Sequence, residues 1–245
     1  MKGFTHKGLS IDDITNDLRS SLHNGRLVVF IGAGISRSQD YPSWTDLTES
    51  MINDCDLDHN VKKDLSIYLG KRKYEAIAEL IKQNSGTFYK SFLQQKFKPP
   101  GNTIGVLYKA IAQIPFHSFI TTNYDRSLEL SLGSTDNDIN SRMADYSFDW
   151  RNIQQIQETI KYSYRHIFHA HGMWDDSEQT SAESIILAES DYKELRRSAL
   201  YKEYLAYIFK KFTVLFLGFG MQDWEIEWID NLISEQIGST NNLMF

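Results

Sequence analysis

Leu27-Val-Val-Phe-Ile31 runs without a polar residue into Gly32-Ala-Gly-Ile-Ser36. A short apolar run stopped by a glycine turn predicts a strand buried on both faces, as in the middle of a parallel sheet. The pattern recurs. His117-Ser-Phe-Ile120 runs into Thr121-Thr-Asn-Tyr-Asp125, Arg165-His-Ile-Phe-His-Ala170 into His171-Gly172, and Thr213-Val-Leu-Phe-Leu217 into Gly218-Phe-Gly220. Each reads as a buried strand that delivers small or polar groups to one edge of a sheet. In open α/β sheets that edge is where ligands bind.

Helical signals fill the space between these runs. Ser10 precedes Ile11, Ile14, Leu18 and Leu22 at helical spacing, with Asp12 and Asp13 in the first turn and Gly25 as a stop. Ser43 caps a helix beginning at Trp44. The reading stays helical over 61–70, 72–84, 87–97 and 103–113, broken at Lys98-Pro-Pro-Gly-Asn. Further on, 126–132 reads as helix, 145–150 is ambiguous and 183–187 reads as a short strand. Ser190 is expected to cap a helical stretch through 211, and Asp223 to open a final helix. The expected fold is α/β: a Rossmann-like, mostly parallel sheet flanked by helices, with a helical insertion over about 44–113.

At 245 residues, with 41% hydrophobic and 24% charged residues, the chain can hold one large α/β domain. The net charge of −6 argues against a duplex-binding surface, so nucleic acid is not an expected partner. One cysteine, Cys55, excludes an internal disulfide and a multi-cysteine zinc ribbon. The start lacks the apolar core of a signal peptide and no run reaches transmembrane length, which predicts a cytoplasmic protein with no membrane partner. The final residues turn apolar and stop, so this stretch reads as the front part of a longer protein.

The strand ends carry the chemistry. Gly32 to Ser36 has the context of a phosphate cradle, where glycines let backbone approach phosphate oxygens. Arg37 stands where the hydride-transfer fingerprint needs a third glycine, and no P-loop is present. The competing reading is a tight turn without a ligand. Asn123 and Asp125 suit either a polar site or local capping of the next helix. His171 is two residues from His169, and strand alternation predicts that both share a face while His166 points away. His171 reads as a structural imidazole or, beside the turn at Gly172, as a general base. No ligand set for a metal is completed. Gly218, Phe219 and Gly220 with Asp223 suit a glycine turn followed by an N-cap. The five tryptophans, Trp44, Trp150, Trp174, Trp224 and Trp228, read as core.

Taken in order, these motifs resemble the sirtuin-like NAD-consuming domains, in particular the bacterial branch found in antiphage defence proteins. The matching pieces are Gly32-Ala33-Gly34-Ile35-Ser36, Thr122-Asn123-Tyr124-Asp125, His171-Gly172, and Gly218-Phe219-Gly220 with Asp223. The resemblance implies that Ala33, Gly34 and Ser36 hold the NAD phosphates and ribose, and that Asn123 orients the ribose or an attacking water. It places Asp125 by the nicotinamide carboxamide, His171 as general base, and the last glycine turn under the adenosine half. Two departures separate the chain from protein-deacylating sirtuins. Their four-cysteine zinc module is missing, and Tyr41-Pro-Ser-Trp44 stands where they carry Pro-Asp-Phe-Arg.

The resemblance therefore implies hydrolysis of NAD to nicotinamide and ADP-ribose, depleting NAD in antiphage abortive infection, switched on by self-assembly, a protein partner or a phage-derived trigger. NAD is the substrate and no metal is expected. Alternatives are an NAD-dependent deacylase or ADP-ribosyltransferase, or a non-enzymatic module that senses NAD or ADP-ribose. Tyr68, Leu69, Tyr74, Phe88, Tyr89 and Phe92 of the helical block have two readings, a surface that meets another copy or residues that pack the insertion on the sheet.

Overall fold

The computed structural model of the chain describes residues 10–97, 104–134, 146–163, 165–174, 181–219 and 231. Its sheet has five strands, β1 (Leu27–Ile31), β2 (Phe119–Thr121), β3 (Ser147–Asp149), β4 (Ile167–His169) and β5 (Thr213–Leu217), in the spatial order β3-β4-β2-β1-β5. Every neighbouring pair is parallel. The helices are α1 (Ile11–His23), α2 (Ala33–Ser36), α3 (Trp44–Asp54), α4 (His59–Gly70), α5 (Tyr74–Asn84), α6 (Gly86–Phe97), α7 (Val106–Ala112), α8 (Ser127–Gly133), α9 (Ile153–Tyr162), α10 (Ser181–Ser184), α11 (Glu189–Arg197) and α12 (Ala199–Lys211). This is the Rossmann-like α/β arrangement expected from the sequence.

The apolar runs are explained by a sheet covered on both faces. All five residues of β1 are buried. Val28, Phe30, Ile120, Phe148, Phe168 and Val214 pack on one side with residues of α9, α11 and α12. Leu27, Val29, Ile31, Phe119 and Ile167 pack on the other with α7 and α8, and Leu18 and Leu22 of α1 lie against them. Strand alternation sorts neighbouring residues into these two layers. Because the strands are parallel, all their carboxyl ends meet at one edge, where the chain leaves β1 toward β2 on one side and returns as β5 on the other.

The local stop and start signals hold at α1 and α3. Ser10 and Asp13 form a reciprocal capping box on α1, and Ser43 and Asp46 form another on α3. Gly25 closes the first turn with φ of 62°.

Three details differ from the sequence reading. The ambiguous stretch contributes the edge strand β3. The stretch 183–187 is not a strand: α10 ends at Ser184, and Ile185 and Leu187 are buried beneath the helical block. Ser190 is not a cap. Asp191 accepts the amides of Leu187 and Ala188 at the start of α11, and Ser198 breaks the helical stretch by capping α12. Of the helix expected after Asp223 only residue 231 is described, and it is helical; Trp224 and Trp228 lie outside the described residues.

The expected helical block divides in two. Helices α3 to α6 build their own core around Met51, Ile77, Ile81, Tyr89, Phe92 and Leu93, which continues into Tyr124, Trp174, Ile185 and Leu187. Helix α7 instead belongs to the sheet layer through Tyr108, Ile111 and Ala112. The block is tied to the body by Lys82 on Asp191 (2.5 Å) and by Glu79 accepting the Ser190 amide. Of the six apolar residues with those two readings, Tyr89 and Phe92 lie in this core and Leu69 and Phe88 pack against it. Tyr74 stacks on Trp44, and Tyr68 is exposed. Internal packing thus absorbs most of the surface assigned to self-assembly.

Candidate active site at the carboxyl ends of the strands

A cavity of about 40 Å³ opens beside the ends of β1 and β2, lined by Ala33, Ser36, Tyr41, Pro42, Trp44, Leu47, Phe97, Thr122, Asn123, Tyr124 and Asp125. One wall is polar and comes from the first two strand ends. The other is largely aromatic and comes from the segment before α3, from α3 and from α6.

The polar wall is a closed hydrogen-bond network. The Ser36 hydroxyl donates to Asp125 Oδ2 at 2.7 Å. Its single proton is thereby spent, so the Tyr108 hydroxyl at 2.8 Å must donate to Ser36 Oγ. The Asn123 Nδ2 group faces three acceptors: Gly32 O (3.1 Å), Ser36 Oγ (2.8 Å) and Tyr108 OH (3.2 Å). A carbonyl only accepts, so the contact with Gly32 fixes which end of the amide is nitrogen. Asp125 Oδ1 takes the Ser127 amide at 3.0 Å, the local capping role weighed for this residue. One Asp125 oxygen thus holds the Ser127 amide at the start of α8, and the other holds Ser36. Burial raises the Tyr41 and Tyr108 phenol pKa values, and the nearby Asp125 charge adds to it, so both stay protonated donors.

The glycine turn is explained by packing. A Cβ on Gly34 would lie 2.8 Å from Gly218 O, and the Gly34 amide donates to that same oxygen at 2.8 Å. Gly218 has φ of 78°, and its Cβ would lie 2.8 Å from Ile35 N. The turns after β1 and β5 thus interlock, and their glycines permit that contact. Within the turn expected to cradle phosphate, the amides of Gly34 and Ile35 are already engaged, with Gly218 O and Gly32 O. Phe219 packs edge-on against Phe30 and Phe216, away from the cavity.

His171 is buried on the neighbouring segment and does not line the cavity. The segment runs beside Thr121 to Tyr124, since Ala170 N bonds Thr121 O and Trp174 N bonds Tyr124 O, each at 2.8 Å. Burial lowers the His171 pKa to about 3 and keeps the ring neutral. The ring meets Tyr192 edge-on at 5.4 Å. Gly172 takes φ of 89°, and a Cβ there would lie 2.0 Å from Ser184 O, so only glycine fits the turn.

The expectation that His169 and His171 share a face is overturned. β4 ends at His169, so alternation stops there. His169 points to Glu129 on α8, whereas His171 turns to Tyr192 on α11, on the opposite face. His166 bonds Tyr204 on that second face.

The structure thus gathers Ala33, Ser36, Thr122, Asn123 and Asp125 around one cavity. Gly32, Gly34 and Ile35 lie on its supporting turn, and His171 stands on the adjacent strand end. Gly218 and Phe219 lie behind the turn. Gly220 and Asp223 are outside the described residues. The sequence reading missed Tyr108, which closes the network from a helix; its one signal was a hydroxyl on an otherwise apolar helical face. It also missed Glu129, a carboxylate within an apolar helix.

A parallel sheet with a polar network at the carboxyl ends of β1 and β2 defines a Rossmann-like domain with its ligand edge at the strand ends. A SIR2-like domain model matches residues 117–245, more than half of the chain, and the chain belongs to that family. It is 25% identical over 228 residues to defense-associated sirtuin 2 of Bacillus subtilis, covering 91% of this chain and 21% of that protein. It is 26% identical over 223 residues to the NAD(+) hydrolase ThsA of Bacillus cereus (strain MSX-D12), covering 90% of this chain and 42% of that protein. Similarity to the NAD(+) hydrolase ThsA of Enterococcus faecium is 25% over 213 residues, covering 85% and 40%. The chain thus spans about two fifths or less of the length of these relatives. Among the described residues, no helix is long and apolar enough to cross a membrane.

Proposed function

We propose that this domain hydrolyses NAD to nicotinamide and ADP-ribose in antiphage defence. The observation that carries the reading is the cavity where Asn123, Ser36 and Asp125 meet at two strand ends beside a wall of Tyr41, Trp44 and Phe97. The names of the NAD(+) hydrolase relatives support it.

The chemistry is compatible. Nicotinamide leaves NAD as a neutral molecule from a positively charged pyridinium, through an oxocarbenium-like transition state resembling that of glycoside hydrolysis. The domain then needs to hold the ribose, shield the bond from bulk water and place one water. Asn123, with its amide nitrogen locked, presents the carboxamide in one orientation toward ribose or water. Asp125 lies by the nicotinamide carboxamide, where the aromatic wall offers an apolar face. His171 is the general base of this reading; it is neutral but buried outside the cavity, and burial disfavours its protonated form, so it takes a proton only once bound NAD reaches it. Ala33 and Ser36 would meet the ribose and phosphates. The test is nicotinamide release by the purified chain, with and without acetylated peptide, over a range of protein concentrations. Release independent of peptide supports hydrolysis, and release only with peptide overturns it in favour of deacylation. A rise in specific activity with concentration is expected if self-assembly switches the domain on.

A further inference from the structure

Asn123 is held by its backbone as well as its side chain. Its amide donates to Thr121 Oγ1 at 3.0 Å, and Thr121 in turn donates to Ile31 O at 3.0 Å. Its carbonyl oxygen lies 3.0 Å from His169 Nδ1, in a ring with no exposed surface. That oxygen carries only lone pairs, so Nδ1 must carry the proton. The other ring nitrogen, Nε2, lies 2.7 Å from Glu129 Oε1, which also receives the Ser147 hydroxyl at 2.5 Å. With Nδ1 already protonated, a second proton held at Nε2 makes the ring an imidazolium paired with a carboxylate.

We propose that the Glu129–His169 pair is a positioning device for Asn123, pinning its carbonyl so that its carboxamide stays at the cavity. The inference rests on the reading of Asn123 as the group that orients ribose or water. Neither Glu129 nor His169 lines the cavity; both act through Asn123. The acidic groups around the ring are Glu129 from α8, Asp125 from the loop after β2, and Asp149 of β3, which lies level with His169 and is paired with Arg151 at 2.7 Å. Tyr108 of α7 feels Asp125 and, more weakly, Glu129. Burial opposes charge on both partners, but their mutual attraction prevails. The Glu129 pKa falls to about 2 and that of His169 rises.

The test uses His169→Phe, His169→Asn, Glu129→Gln and Asn123→Ala, alone and combined, with circular dichroism as a check of folding. In His169→Phe, kcat should fall by about 10²-fold while KM changes by less than about threefold, the signature of a misplaced rather than a missing group. His169→Asn, whose amide reaches the same carbonyl, should recover much of the loss. In an Asn123→Ala background His169→Phe should cost nothing further, because residues acting as one unit are not additive. An equal loss in both backgrounds would overturn the proposal. A second readout needs no turnover: in ¹⁵N-labelled wild-type protein near pH 6, both His169 ring nitrogens should be protonated. The Tyr124 amide, whose peptide carbonyl is that of Asn123, should shift as His169 titrates or when Glu129→Gln is introduced. An unprotonated Nδ1 or an indifferent Tyr124 amide contradicts the proposal. Wild-type turnover in Asn123→Ala would instead overturn the catalytic reading, leaving the NMR result to decide the positioning.

Discussion

At the end of β4 the chain places two buried histidines, His169 and His171, on opposite faces of the sheet. His169 lies between a carboxylate and a carbonyl, and its pKa is raised. His171 meets the Tyr192 ring, and burial takes its pKa down to about 3. The sequence gives them the same residue type, spaced two apart, and the environment divides their work. Glu129 makes the first ring a charged clamp behind Asn123. Burial against α11 makes the second a neutral imidazole on the adjacent strand end.

The largest expected effect comes from breaking the charged member. Glu129→Ala removes the attraction that offsets burial, so His169 gives up a ring proton, and the lost ion pair with its hydrogen bonds costs about 3–5 kcal/mol. Urea unfolding at pH 7 measures it, and a loss below about 1 kcal/mol would mean that His169 is not held as a cation. For the neutral member the effect should fall on chemistry. His171→Ala is expected to cut NAD turnover by at least about a hundredfold while the fold survives. Wild-type turnover in the folded variant would remove His171 from the mechanism.

The pH dependence of stability separates the two rings by sign. His169, with a raised folded pKa, contributes stability that is full below its unfolded value of about 6.5 and is lost as pH rises through its folded pKa. His171 is depressed to about 3, so its contribution is present above about 6.5 and is lost as pH falls toward 3. Half-buried His117, lowered to about 4 by burial first and Arg165 second, acts in the same direction as His171. Glu129 adds a loss as pH falls from its usual range toward 2. Stability should therefore peak near pH 6.5 to 7. One buried histidine proton corresponds to about 1.4 kcal/mol per pH unit. Urea titrations should show that His171→Gln flattens the acid limb by one proton and that His169→Gln flattens the alkaline limb. Identical profiles for the two variants would erase the distinction.

The smallest effect is expected at Tyr108→Phe, which removes one hydroxyl from the Ser36–Asn123 network and should cost about 1 kcal/mol of stability. Unfolding measurements check it, and no measurable loss would mean that the hydroxyl is dispensable to the network.

What the sequence made legible was local or periodic. The apolar run Leu27 to Ile31 is a central strand because burial on both faces demands an unbroken apolar run. Ser10 and Ser43 cap helices through contacts three residues away. The stretch 183–187 misled because a buried apolar segment under helices looks the same as a buried strand. The partners of the site were hidden by distance along the chain. Tyr108 meets Ser36 from 72 residues away and Glu129 meets His169 from 40, contacts set by the order of the strands rather than by any local period. Strand alternation predicts one face for the two histidines, but β4 ends at His169 and the rule ends with it.

The central claim is that the Asn123 strand end forms a site that hydrolyses NAD. The most direct measurement follows NAD, nicotinamide and ADP-ribose together by chromatography, comparing wild-type protein with Asn123→Ala across protein concentration and without peptide. Equal amounts of nicotinamide and ADP-ribose should appear as NAD disappears, with a loss of at least about a hundredfold in the variant. NAD left intact by the wild type at every concentration, or equal turnover in the folded variant, would contradict it.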